Sequence, residues 1–265
     1  MLLVSANVNG IRAAVRRGGL RWLEDAAPDV LALQEVRADD EQLRAELRGS
    51  ALESWHVAHA PASDKGRAGV AVLSRVAPVA VREVLTDEFA GTGRWVEADV
   101  PVGDRVVTVA SAYVHTGEAR TPRQEEKQRF LTAVGDRLGE WSADGRLAVL
   151  TGDLNIAHTV DDLKNWRGNR GKSGFLPEEQ AHLDGWVDTH GFVDVHRTLH
   201  GPGPGPYTWW SWRGKAFDND SGWRIDYQIA SAPLAHTAVR AEVGRAASYA
   251  ERWSDHAPVT VEYAL

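Results

Sequence analysis

The chain has 265 residues, with 30 basic side chains against 37 acidic ones for a formal net charge of −7, and it contains no cysteine. That balance excludes a protein that grips nucleic acid through a bulk positive field, though it leaves room for a local basic surface. The missing cysteines exclude disulfides, thiolate metal sites and cysteine nucleophiles, so any metal must sit among oxygens or imidazoles.

Residues 2–7 read as an apolar strand that ends on Asn7, followed by an Asn9-Gly10 turn signal. Helical spacing through Leu20, Leu23 and Ala27 predicts one helix over residues 12–27, stopped by Pro28. A second buried strand over residues 30–35 ends on the carboxylate of Glu35. A charged helix is expected around residues 40–48, then strands near 55–59, 69–74, 95–100 and 106–113, with a two-cation loop at Lys65-Gly66-Arg67. Tyr113 closes the last of these strands. Phe130, Leu131, Val134, Leu138 and Trp141 fall at helical spacing and predict an amphipathic helix over residues 124–141.

The run Leu147-Ala148-Val149-Leu150 feeds Thr151-Gly152-Asp153-Leu154-Asn155. On an extended chain, two-residue spacing aims Asp153 and Asn155 to one side. An acid there can take a proton from water or hold a hard cation, and the neutral amide can donate to a phosphate oxygen without repelling it. In isolation the same residues read as a strand followed by an Asx turn.

Residues 161–172 have little periodicity and carry four cations, an aromatic ring and two glycines, which is the composition of a nucleic-acid contact loop or of a solvated insertion. A helix follows from Pro177, with Glu178 and Glu179 in its dipole-favoured first turn. Over residues 207–212, read as a strand, Trp209 falls on the face opposite Trp210 and Trp212, so one face is core and the other is free to stack on a sugar or base, near Arg213 and Arg224. Residues 224–229 alternate, with Ile225, Tyr227 and Ile229 on one side and Asp226 on the other. Ser254-Asp255-His256 then places a carboxylate beside a histidine. No G-x-S-x-G elbow supports a nucleophilic serine. Neither a repeat nor a composition shift divides the chain, so a single domain over residues 1–265 is expected. No apolar run approaches the roughly 18 to 20 residues needed to cross a bilayer, and the first residues lack the features of a signal peptide. A cytoplasmic protein with no membrane association is therefore expected.

The ends of the apolar runs thus present Asn7, Glu35, Tyr113, Asp153, Asn155, Asp226, Asp255 and His256. With their surroundings they resemble the exonuclease III and apurinic/apyrimidinic endonuclease family of deoxyribonuclease I-like phosphoesterases. The matching pieces are residues 7–13, 33–35, 152–158, 174–179, 223–227 and 254–258, which span nearly the whole chain in one order. The resemblance implies an α/β fold, a four-layer αββα sandwich of two packed mixed sheets flanked by helices. It also implies a monomeric Mg²⁺-dependent phosphodiesterase, with Mn²⁺ as a possible substitute, acting on double-stranded DNA at an abasic site or a 3′ end. Such an enzyme cuts 5′ to an abasic sugar, often with 3′-phosphatase and 3′-to-5′ exonuclease activity.

On that resemblance Glu35 is the leading metal ligand, with Asn7, Asp153, Asn155, Asp255 and His256 near the ion. Asp153 activates the attacking water, Asn155 contacts phosphate, and His256, polarised by Asp226, binds or protonates a phosphate oxygen while Tyr113 assists the leaving oxygen. Trp209, Trp223 and Ile225 line a pocket for the baseless sugar, and Arg12, Arg167, Asn169, Arg170 and Lys172 handle flanking phosphates. One departure stands out: many relatives carry Pro and then Asn or Gln after the motif tyrosine, where this chain has His115 and Thr116. A phosphoesterase acting on phosphoinositide, sphingomyelin or nucleotide is the first rival. A non-catalytic DNA-binding relative is the second, and it would be expected to have lost Glu35, Asp153 or His256.

Overall fold

The computed structural model describes all of residues 1–265. In chain order its elements are β1 (Leu2–Asn7), α1 (Ile11–Arg16), α2 (Gly19–Asp25), β2 (Val30–Gln34), α3 (Asp40–Leu47), β3 (His56–Ala60), β4 (Val70–Ser74), β5 (Ala80–Arg82), β6 (Trp95–Val102), β7 (Arg105–Tyr113), α4 (Pro122–Ala143), β8 (Leu147–Asp153), α5 (Trp166–Asn169), α6 (Pro177–Asp188), β9 (Phe192–Asp194), α7 (Val195–His200), β10 (Asp226–Ser231), α8 (Ala232–Ala235), β11 (Ala238–Val243) and β12 (Val259–Tyr263). The strands make two six-stranded mixed sheets, ordered β11-β12-β1-β2-β4-β3 and β5-β6-β7-β8-β10-β9. Each has one parallel pair near its centre, β1 with β2 and β7 with β8.

Alternation along single strands shows why four layers form. In β1, Leu3 packs between the sheets with Val72, Val96, Val109 and Val149, whereas Val4 faces the other way with Leu31 and Leu73 onto Ile11, Leu23 and Leu43 of α1 to α3. In β8, Val149 points inward, while Ala148 and Leu150 point outward onto Phe130, Val134 and Leu138 of α4 and Leu183 and Trp186 of α6. Strands covered on both faces need apolar residues at every position, which is why they read as continuous runs. Three apolar interfaces stack helices, sheet, sheet and helices, as the resemblance implied.

With both faces apolar, hydrophobic pattern fixes register only weakly. Buried polar side chains between the sheets supply what pattern does not. Gln34 Nε2 donates to Ser111 Oγ at 2.9 Å, and Gln228 Nε2 donates to the carbonyls of Leu3 and Val259 at 3.1 and 3.0 Å. A one-residue slip would leave these amides unpaired, at about 1–3 kcal/mol for each buried group.

Two local expectations are corrected. The helix expected over residues 12–27 is two, α1 and α2, because Gly18 adopts φ +87, outside any helix, between them. Residues 207–212 form no regular strand, only isolated bridges from Trp209 to Trp223 and to His256, so Trp210 is buried at 1% exposure while Trp212 stays partly exposed. Strands β5, β9, β11 and β12 were not expected; β5 and β9, at three residues each, hold too short a pattern to register. No helix is long and apolar enough to cross a membrane.

The topology gathers the strand ends at one rim. β1, β2, β7 and β8 deliver Asn7, Glu35, Tyr113 and Asp153 there, and β10 begins there with Asp226 paired directly opposite Asp153. His256 precedes β12, whose Val259 pairs with Ser5 of β1. Gly152 makes the convergence possible: a Cβ on it would meet Ala112 O at 2.2 Å and the Gln34 amide at 3.0 Å.

Candidate active site

Asn7 joins the two sheets at this rim. Its Nδ2 donates to Glu35 Oε1 and to Asp153 Oδ2, each at 2.9 Å, and its Oδ1 accepts the backbone N–H of Asn9. One ligand atom from each of Glu35, Asp153 and His256 lies within 4.8 Å of the others, and all three residues are buried. The His256 Nδ1 faces both oxygens of Asp226 at 2.9 and 3.1 Å, and its Nε2 stands 3.7 Å from Asp153 Oδ2. These side chains, up to 221 residues apart in sequence, can therefore touch one phosphate.

The chain turns sharply to present them. Glu35 and Asn155, just past the ends of β2 and β8, have φ of +51 and +52. Left-handed backbone is ordinary for Asn and uncommon for Glu, and such conformations cluster at functional sites. Asn155 N donates to Asp153 Oδ1 at 2.9 Å. The Asx turn expected from Gly152-Asp153-Leu154-Asn155 is thus present.

Charge is out of balance at this rim. Burial raises the Asp153 carboxyl above the usual range, and the nearby Asp226 and Glu35 raise it further against the pull of His256. Burial alone would lower the His256 imidazole, yet Asp226 and Asp153 override it and hold the ring in its cationic form. Tyr113 is pushed well above the ordinary phenol range by burial and by Glu35, so its O–H is a permanent donor. The Arg94 guanidinium lies 4.8 Å over its ring and donates to its carbonyl.

A hard divalent cation suits this donor set. Glu35 and Asp153 offer carboxylate oxygens, and the added positive charge would relieve the raised Asp153. Glu35 also accepts from Arg37 Nη2, which orients it. His256 belongs to the same cluster of converging ligand atoms. Two residues expected near the ion stand differently. Asp255 has both oxygens engaged, by Asn9 Nδ2 at 2.7 Å and Trp209 Nε1 at 3.2 Å. Asn155 donates its Nδ2 to Val114 O at 2.9 Å, and Asp255 does not belong to the cluster of converging ligand atoms.

Beside the rim lies a cavity of about 290 Å³ lined by Tyr113, Asn155, Trp209, Trp223, Ile225 and His256 among others. The three apolar residues expected to form a sugar pocket are therefore together, next to the acids. Asn9, Arg37, Ser173 and Gly174 also line it and were missed, and Thr116, singled out only as a departure from the family pattern, lines it too. For two of these a signal existed: Asn9 follows Asn7 and Arg37 follows Glu35 at the same two-residue spacing that paired Asp153 with Asn155. Arg224, expected near an exposed stacking surface, is buried at 2% exposure and bonded to Asp162 and Asp194.

The expected phosphate-handling residues lie outside the cavity. Arg12 is exposed on α1. Arg167 and Arg170 are exposed and both stack on Trp166, at 4.4 and 4.5 Å, while Asn169 accepts from Lys172 at 3.3 Å. His115 is packed against Phe89 and Phe130 with its Nε2 3.2 Å from Glu126, and only Thr116 of that pair reaches the cavity.

Comparison with known proteins follows this geometry. A family model described as Endonuclease/Exonuclease/phosphatase family matches residues 4–256. The chain is 33% identical to the DNA repair nuclease APEX1 of Danio rerio over 268 residues, covering all of this chain and 83% of that protein. It is 32% identical to an exodeoxyribonuclease of Bacillus subtilis (strain 168), covering 98% of each. Among solved structures, an AP endonuclease from Archaeoglobus fulgidus superposes with a TM-score of 0.86 at 26% identity over the full length of both chains. The 3′ phosphatase NExo from Neisseria, bound to a product DNA hairpin, does so with a TM-score of 0.86 at 28% identity, again over both full lengths.

Proposed function

The chain belongs to the endonuclease/exonuclease/phosphatase family, and from that premise we propose that it is a metal-dependent DNA repair nuclease that cuts double-stranded DNA 5′ to abasic sites, with 3′-to-5′ exonuclease and 3′-phosphatase activity at DNA ends. We read residues 1–265 as one catalytic domain of a monomeric, cytoplasmic enzyme. The observation that carries the reading is the meeting of Glu35, Asp153 and His256 beside a cavity walled by Trp209, Trp223 and Ile225. A bare sugar can enter such a cavity at less cost than a nucleotide that must first be unstacked and unpaired.

The residues divide the work of hydrolysis. Asp153, oriented by the Asn7 amide, takes a proton from the attacking water as the oxygen bonds to phosphorus. His256, kept cationic and oriented by Asp226, donates from Nε2 to a non-bridging oxygen whose charge grows as the P–O3′ bond breaks. The Tyr113 hydroxyl, never ionised at working pH, donates to the phosphate or to the departing 3′ oxygen. Asn7 and Arg37 hold Glu35 in place. Glu35, with Asp153 beside it, would hold Mg²⁺ or Mn²⁺, which when bound would supply Lewis-acid charge.

The test is a comparison of purified protein on abasic duplex, 3′-phosphate duplex and intact recessed ends, each with Mg²⁺ or EDTA. Incision of the abasic duplex in Mg²⁺ and none in EDTA is expected. Hydrolysis of a phosphoinositide or sphingomyelin with no DNA cleavage would transfer the site to the lipid-acting branch of the same fold.

A further inference from the structure

A charged pair completely closed to solvent lies behind one wall of the cavity. Lys127 of α4 and Glu179 of α6 are each at 0% side-chain exposure, 2.7 Å apart. Desolvating two charges costs several kcal/mol for each ion, so such a pair persists only where further hydrogen bonds satisfy it. Here they do. Lys127 Nζ also donates to Asn155 O at 2.9 Å and to Thr116 O at 3.3 Å. Glu179 Oε2 accepts the backbone N–H groups of Gly174 and Leu176 at 2.7 and 3.0 Å, and Oε1 accepts from Ser173 Oγ at 3.0 Å and Gln124 Nε2 at 2.7 Å.

The loops so gripped are the point. Thr116, Asn155, Ser173 and Gly174 belong to three separate connections, and all four line the cavity. Neither Lys127 nor Glu179 lines it. The other wall is Trp209, Trp223 and Ile225, with Trp209 bridged to Trp223, and it meets the gripped loops where the Trp223 ring packs against Gly174. The seat of that ring is therefore set on one side by a single buried node.

We infer that Lys127 and Glu179 are positioning residues that fix the width of the cavity, and so determine discrimination between a baseless sugar and a nucleotide that carries its base. The inference rests on the abasic-site reading above. Losing the charge on Glu179 leaves the Lys127 ammonium buried without a counter-ion and frees the Gly174 and Ser173 loop to move away from the indoles. A wider cavity holds a bare sugar less well and resists an intact nucleotide less.

Equilibrium binding in EDTA, without catalysis, reads this directly. Fluorescence anisotropy would give the affinity of wild type and Glu179→Gln for two duplexes of one sequence, one carrying a tetrahydrofuran abasic analogue and one undamaged. The expected result is a fall of about 10-fold in the preference for the abasic duplex, of the size that one pocket contact supplies, with undamaged-duplex affinity weakened no more than about 2-fold. Partial unfolding would lower both affinities together and leave their ratio unchanged. A ratio within about 2-fold of wild type overturns the inference. Should Glu179→Gln fail to melt cooperatively, Gln124→Leu, which removes one donor and keeps the ion pair, carries the same criterion with a smaller expected fall. A wild type without any preference for the abasic duplex would instead sink the abasic-site reading, and this inference with it.

Discussion

Two buried groups of carboxylates sit within this molecule and behave oppositely. At the rim, Glu35, Asp153 and Asp226 surround one imidazole, with Arg37 reaching only Glu35. Behind the indole wall, Asp162 and Asp194 are bonded to Arg224 at 2.7 Å each, and Asp162 also to Arg197. Burial would raise Asp162, but Arg224 and Arg197 hold it below the usual carboxylate range, whereas burial and neighbouring acids leave Asp153 above it. Asp153 and Asp162, at the centre of each, are equally closed to solvent. They differ in whether each negative charge has a positive partner within the protein. A group left short of positive charge is poised to receive a cation and a phosphate, and a balanced one holds the fold together.

Substitutions should separate these roles. The largest effect is expected for Asp153→Asn, which should lower single-turnover incision of an abasic duplex by about 10³-fold, as loss of a general base does, with duplex affinity nearly intact. Incision at the wild-type rate would remove Asp153 from the chemistry. Asp162→Ala should act on the fold instead, costing about 3–5 kcal/mol in urea melts because Arg224 and Arg197 lose a shared partner. A loss below about 1 kcal/mol would make that network no better than a surface pair.

A smaller effect follows from pH. Burial, helped by His200 and Arg224, pushes His196 of α7 down to about 4, so it is neutral in the fold at a pH where the unfolded chain, titrating near 6.5, takes a proton. The unfolded state then binds more protons, and stability should fall as pH drops from about 6.5 towards 4, by up to roughly 3 kcal/mol for this residue. His115, pushed down to about 3 by burial and Arg94, acts in the same direction. His196→Gln should flatten that slope, and an unchanged slope would show that the ring is not what loses stability. The smallest effect is expected at the surface loop. Arg167→Ala with Arg170→Ala should weaken DNA binding and reduce the slope of log affinity against log salt by about 1–2. An identical slope would take the loop off the DNA surface.

How much of this was legible in the sequence follows from the same contrast. Rim residues end apolar runs, so Asn7, Glu35, Tyr113 and Asp153 each carry a local signature, and sheet topology needs only to bring those ends together. The balanced pairs carry none. Lys127 with Glu179, and Asp162 with Arg224, join residues 52 and 62 positions apart in the middle of otherwise ordinary segments. Glu179 reads as a dipole-favoured residue of a first helical turn, and nothing nearby says that it is buried. The split of residues 12–27 escaped for a related reason, since the helical spacing of Leu20, Leu23 and Ala27 lies wholly beyond the left-handed Gly18 and says nothing of the chain before it.

The charge contrast can be measured without substrate, by the thermal midpoint of Asp153→Asn and of wild type at neutral pH in the absence of divalent ions. A raised folded-state proton affinity means that ionised Asp153 works against the fold there, so removing the charge should raise the midpoint by several degrees, on the order of 1 kcal/mol or more. A lower midpoint for Asp153→Asn would mean that the rim is already balanced, and the account of why it calls for a cation would be wrong.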